Sequence, residues 1–131
     1  MSAKPRSRRP RTDRITTVWM ILALAGAVIG LVTRSVLPHT WWTTIHLVTL
    51  GVLTNGILQW SWYFARGLLR LPPTDRRSGR DAVIRSVTFN LALIGLVAGM
   101  WSSTPALVIA FATVVGAVVA WHGYAIVLAL L

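Results

Sequence analysis

The chain has 131 residues, a net charge of +10, 55% hydrophobic residues, only 12% charged residues and no cysteine. That is chain enough for one domain but too little polar surface to coat a soluble globule of this size, so the class is membrane. The missing cysteine excludes disulfide frameworks, thiolate zinc sites, iron–sulfur clusters and cysteine nucleophiles within the chain, leaving His and carboxylate as the metal ligands.

Residues 1–14 form a basic tail, with Lys4, Arg6, Arg8, Arg9, Arg11 and Arg14 among Pro5 and Pro10. Bases set directly beside an apolar run read as a topology signal and a contact for anionic lipid headgroups, not as a nucleic-acid arm. "SRRPRT" (7–12) lacks the apolar residues that follow a twin-arginine signal. The first apolar run, Ile15 to Val32, contains the small triplet Ala23-Leu24-Ala25 inside it, not at its end, which favours a retained helix over a cleaved signal. Gly26 and Gly30 make a GxxxG there, and Gly51 and Gly56 open flat patches in the next run, so close helix contacts are available.

Three further apolar runs follow, at about 41–65, 82–101 and 105–131. Each approximates the length of a tilted helix crossing ~30 Å of hydrocarbon, and helices are the only economical way for four spans to satisfy their backbone in lipid. The expected fold is therefore all-α: a polytopic bundle of four transmembrane helices over residues 15–131. The tail and the segment bearing Arg66, Arg70, Arg76, Arg77, Arg80 and Arg85 hold every base except Arg34. This puts the N-terminus and second loop in the cytoplasm and the loops around Pro38 and Ser102–Pro105 outside, in a cell membrane expected to be the bacterial cytoplasmic one. Trp41 and Trp42 at one end of the second span, and Trp60, Trp62 and Tyr63 at the other, fit an aromatic belt.

The stretch "HLVTLGVLTNGILQWSWYFARGLLR" (46–70), which holds most of the second span and its basic flank, carries polar groups at depth. At 100° per residue His46 shares a face with Leu50, Leu53, Ile57 and Phe64, while Asn55, Gln59, Trp62 and Arg66 lie opposite. A span polar on two sides is expected to be central, with neighbours all round. Asn90 in the third span falls at the same counted depth as Gln59, which predicts a Gln59–Asn90 hydrogen bond, with Asn55, Gln59 and Asn90 as the interhelical polar set. His46 lies in the outer part of the membrane and His122 near the inner boundary, so the two cannot be the axial pair of one haem, although each is a candidate to bind a separate centre. Both are candidate cofactor-binding residues, and His46 is the candidate metal ligand. Against this stands a tautomer satisfied by a nearby carbonyl or hydroxyl for His46, and plain interfacial packing for His122 in "WHGY". His39, beside Pro38, reads as solvated.

The only acids, Asp13, Asp75 and Asp81, fall in cytoplasmic segments. No intramembrane carboxylate, phosphate loop, HExxH pair or internal repeat is present, so independent enzymatic activity is not expected and no catalytic residue is assigned.

In this second span His46, Leu50-Gly51, Asn55, Trp60-Ser61, Phe64 and Leu68-Leu69 occur in an order that resembles the N-terminal membrane domains of actinobacterial copper-oxidase and copper nitrite-reductase-like proteins. Similar His-plus-Leu-Gly spans occur in haem- and copper-containing membrane proteins of the nitric-oxide response. The resemblance covers about 25 residues. It implies a membrane-anchoring module of a redox protein whose copper sits in an extracytoplasmic domain or subunit, with haem or copper the cofactor to test at His46. The cupredoxin domains that the resemblance implies are not in this chain, so their Cys-His copper ligation is carried over to no residue here. The apolar end "YAIVLALL" (124–131) reads either as a truncated product or as a short relative assembling with separate partners. A noncatalytic scaffold or assembly subunit is the alternative class, and a transporter a third.

Overall fold

A computed structural model describes residues 11–36, 38–71 and 79–131; the first ten residues of the tail and the loop bases Arg76 and Arg77 lie outside them. The described residues are helical, with no strand among them. Helix α1 spans Arg11–Val32, α4 spans Arg80–Trp101 and α5 spans Pro105–Leu130. Each of these three is long and apolar enough to cross a membrane.

The second apolar run is helical in three consecutive pieces: α2 (Thr40–His46), a π-helical segment (Leu47–Thr54) and α3 (Asn55–Leu69). Leu47, Thr54 and Asn55 at the junctions all keep right-handed helical dihedrals, so the chain winds on without a break. The local sequence explains the wider turn. Val48, Thr49, Val52 and Thr54 are β-branched and Gly51 lacks a side chain, a composition that weakens the ordinary α-helix. Two side chains then bind backbone carbonyls: Thr54 Oγ1 donates to the Thr49 carbonyl five residues back at 3.0 Å, and Asn55 Nδ2 donates to the Gly51 carbonyl at 2.9 Å.

A π segment shifts the angular register that a constant 100° per residue assumes. Within and beyond it, Leu53, Ile57 and Phe64 are 58%, 64% and 56% exposed, whereas Gly51, Asn55, Trp62 and Ala65 are buried. The second run is thus polar and buried on one side and apolar and open on the other, which corrects the expectation of neighbours all round. The enclosed helix is α4, with Arg85, Ser86, Phe89, Asn90, Leu93 and Leu96 all buried.

Two apolar clusters fill the bundle. Phe89, Ala92, Val115 and Val118 join α4 to α5, with Leu50, Leu58 and Phe111 against them. Trp62, Ala65 and Ala125 join α3 to α5. Small residues set the approach between helices: a side chain at Gly95 would run into the Phe111 ring, and one at Gly99 would stand 2.9 Å from Leu107 Cβ. The tight α4–α5 turn uses Ser103 in the left-handed region (φ 50°), followed by Pro105 in the first turn of α5, where a missing N–H costs nothing. Gly26 and Gly30 face α2 and the π segment, where Cβ atoms would lie 3.2 Å from Leu47 Cδ1 and 3.1 Å from Thr44 Oγ1.

Candidate functional site

Polar side chains gather in the interior, each placed by a helix that has no backbone donors to spare. At the centre Asn55 and Asn90 form a reciprocal amide pair, each Nδ2 donating to the other's Oδ1 at 2.9 Å. Their second N–H groups donate to the carbonyls one turn back, Asn55 to Gly51 at 2.9 Å and Asn90 to Ser86 at 2.8 Å. This fixes the orientation of both amides, because a flip would set oxygen against carbonyl oxygen. Asn55 is 0% and Asn90 3% exposed, so the pair meets the rule that buried amides are fully bonded.

Asn90 therefore pairs with Asn55 and not with Gln59, and the difference is geometric. Asn55 lies fourteen residues from the end of α3 and Asn90 ten from the start of α4, so α3 extends about one turn farther than equal counting assumes. Gln59 is half-buried and lines a small cavity instead.

That cavity, about 20 Å³, has room for roughly one water. Asp13 and Thr16 of α1, Gln59, Trp62 and Arg66 of α3, Arg85 and Ser86 of α4, and His122 of α5 contribute to its walls. Thr16 Oγ1 and Ser86 Oγ approach to 3.4 Å across α1 and α4. Arg85 was expected to belong to the basic loop, but it sits in the second turn of α4 and is only 2% exposed. Its guanidinium carbon lies 5.5 Å from the Trp62 ring centroid and 5.3 Å from that of Trp121, within cation–π range of both indoles. The sequence carries a signal for this contact: "WSW" and "WHGY" place both indoles at the end of the bundle where Arg85 enters.

His122 is 7% exposed, deeper than a belt residue, and its Nε2 lies 2.7 Å from Ser61 Oγ. Ser61 Oγ also lies 3.3 Å from the Leu58 carbonyl oxygen, and the Trp62 ring meets the imidazole edge-on. Ser61 and His122 are sixty-one residues apart, a pairing that no local pattern signals. Ser61→Ala is expected to cost about 1 kcal/mol of stability in detergent, read from denaturant titration; an unchanged midpoint would mean that the pair contributes nothing to packing α3 on α5.

His46 lies elsewhere and is half-buried. Its Nδ1–H donates to the Trp42 carbonyl at 2.8 Å and its ring stacks on Trp42, with centroids 3.9 Å apart. That bond leaves Nε2 as the ligand-competent nitrogen. Among the described residues, however, no three His, Cys, Asp or Glu side chains come together as a metal site. A copper ion at His46 would therefore find no set of two further His, Cys, Asp or Glu ligands among the described residues. His39 is exposed, at a left-handed backbone position (φ 52°) that begins α2. At the same end Trp101 Nε1 donates to Thr43 Oγ1 at 2.8 Å, tying α4 to α2.

No family model, curated protein or solved structure matches the chain.

Proposed function

We propose that this chain is a four-span membrane module with a cytoplasmic N-terminus that anchors or organises a redox protein, and that it performs no chemistry of its own. The fourth span in this reading is the continuous helical run from α2 through the π segment to α3. At ~1.5 Å per residue it exceeds the hydrocarbon thickness. Basic residues at the start of α1 and after α3, set against few at the other end, support the orientation.

The observation that carries the reading is the Asn55–Asn90 pair. Both amides are committed to helix–helix and helix-turn bonds, and the Ser61–His122 contact and the Thr43–Trp101 bond link other helix pairs. Polar groups consumed in this way hold a bundle together and leave none of them poised on a substrate. The copper-oxidase-like character of the partner, with copper in an extracytoplasmic domain or subunit, rests on the resemblance of residues 46–70 alone.

The test is expression with haem and copper available, followed by alkaline carbonate washing of membranes, purification in detergent, and optical and metal analysis beside His46→Ala and His122→Ala. The expected result is a carbonate-resistant, colourless protein with less than stoichiometric copper in all three forms. A Soret band, or one copper per chain, lost in the His46 variant would overturn the anchoring reading and make this a redox module with a named ligand.

A further inference from the structure

Two cavities meet at the end of the bundle where α1 begins and α3 ends. The inner one is the small polar pocket described above. The outer one is an open groove of about 460 Å³ lined by Asp13, Tyr63, Phe64, Arg66, Gly67 and Leu68, a size typical of small-ligand sites. Asp13 and Arg66 line both, so one acid and one base stand where the groove meets the bundle. The Arg66 Nε reaches back to the Trp62 carbonyl at 3.4 Å, which holds the guanidinium beside the groove. The other walls are apolar and open: Tyr63, Phe64 and Leu68 are 58%, 56% and 81% exposed, and nothing lies within 4 Å of a side chain built at Gly67.

Depth and charge together define what fits. Asp13 is the first residue of the apolar stretch of α1, and Trp60 and Tyr63 are exposed aromatic rings of the kind that favour the headgroup layer. We propose that the groove binds the headgroup of a phosphatidylethanolamine, with its phosphate on Arg66, its ammonium on Asp13 and an acyl chain along Phe64 and Leu68. A headgroup of net negative charge without an amine would meet Asp13 as a like charge. A choline headgroup has the cation but no N–H to donate to the carboxylate, and charge-assisted hydrogen bonds are the strong ones. The aromatic and aliphatic wall favours a lipid over a free phosphoethanolamine. The inference rests on the proposed membrane embedding, because only then does the groove lie among headgroups.

Phosphatidylethanolamine and phosphatidylcholine with identical acyl chains are both zwitterionic, so the basic tail does not discriminate between them. Native mass spectrometry of the full chain with an equimolar mixture of the two is expected to show about fivefold greater retention of the ethanolamine lipid. Asp13→Asn removes that preference with unchanged helicity by circular dichroism; Arg66→Gln lowers retention of both lipids, and Arg66→Lys restores it. Equal retention of the two lipids by the wild type, or a preference that survives Asp13→Asn, overturns the proposal. A chain that resists carbonate extraction yet shows no preference loses the headgroup site and keeps its membrane assignment, whereas a chain released by carbonate loses both. If an Arg66 variant does not fold, the Asp13→Asn result decides alone.

Discussion

Gly51→Ile is expected to be the most damaging single substitution in the bundle, lowering stability by about 3 kcal/mol. Gly51 is buried in the π segment, and a Cβ built on it collides with Ala23 of α1, whose own Cβ and Cα face it, while Leu93 of α4 closes the other side. The obstructing Ala23 Cβ is fixed to the backbone of α1, so no rotamer change relieves the clash, and α1 has to move away from the second run. Gly116→Ile on α5 is the matched control, since nothing lies within 4 Å of a side chain there. It should change stability by no more than about 0.5 kcal/mol. Denaturant titration of both variants in mixed micelles checks the contrast, and equal midpoints would remove the close α1–π-segment contact from the account.

The second large effect concerns the amide pair. Asn55→Leu or Asn90→Leu alone leaves the partner amide buried with one N–H and its carbonyl oxygen unmet, at a cost of about 2 kcal/mol. The double variant removes both polar groups and should be less destabilised than the two singles added together, with a coupling of about 1 kcal/mol. Additive costs would mean that each amide acts only through the carbonyl in its own helix, Gly51 or Ser86. Gln59→Leu is the informative third variant. It lines the cavity rim and does not bond Asn90, so its effect should be well below that of Asn55→Leu.

The helices themselves were legible because apolar runs of bilayer length, broken by Pro, Gly and Arg, admit no other regular structure. Asn55 and Asn90 were legible as interior polar groups for the same reason: an amide in such a run must find a partner. The identity of the partner was not, because it depends on how far α3 slides past α4, and hydropathy carries no information on axial offset. The π segment was also hidden. It coincides with a β-branched and glycine-containing stretch and with the Thr54 side chain bonding a carbonyl five residues back, features too local for a periodicity count to register. Arg85 was assigned to the loop on charge alone; two tryptophans from α3 and α5 make its burial tolerable, and that contact exists only once the helices are assembled. Ser61 and His122 illustrate the same limit: the sequence marks His122 as a candidate cofactor-binding residue, and nothing in it signals the hydroxyl that the fold brings beside the imidazole.

The central claim, four spans with the N-terminus inside, is tested most directly by the missing cysteine. With no native thiol, single substitutions Ser7→Cys, Ser35→Cys, Ser78→Cys and Ser102→Cys each give one unambiguous site for a membrane-impermeant maleimide. Labelling of intact cells should modify the cysteines at 35 and 102 and leave those at 7 and 78 unreactive until the membrane is opened. Positions 35 and 78 reacting from the same side would mean that the run through the π segment does not cross the bilayer, and would contradict the four-span account.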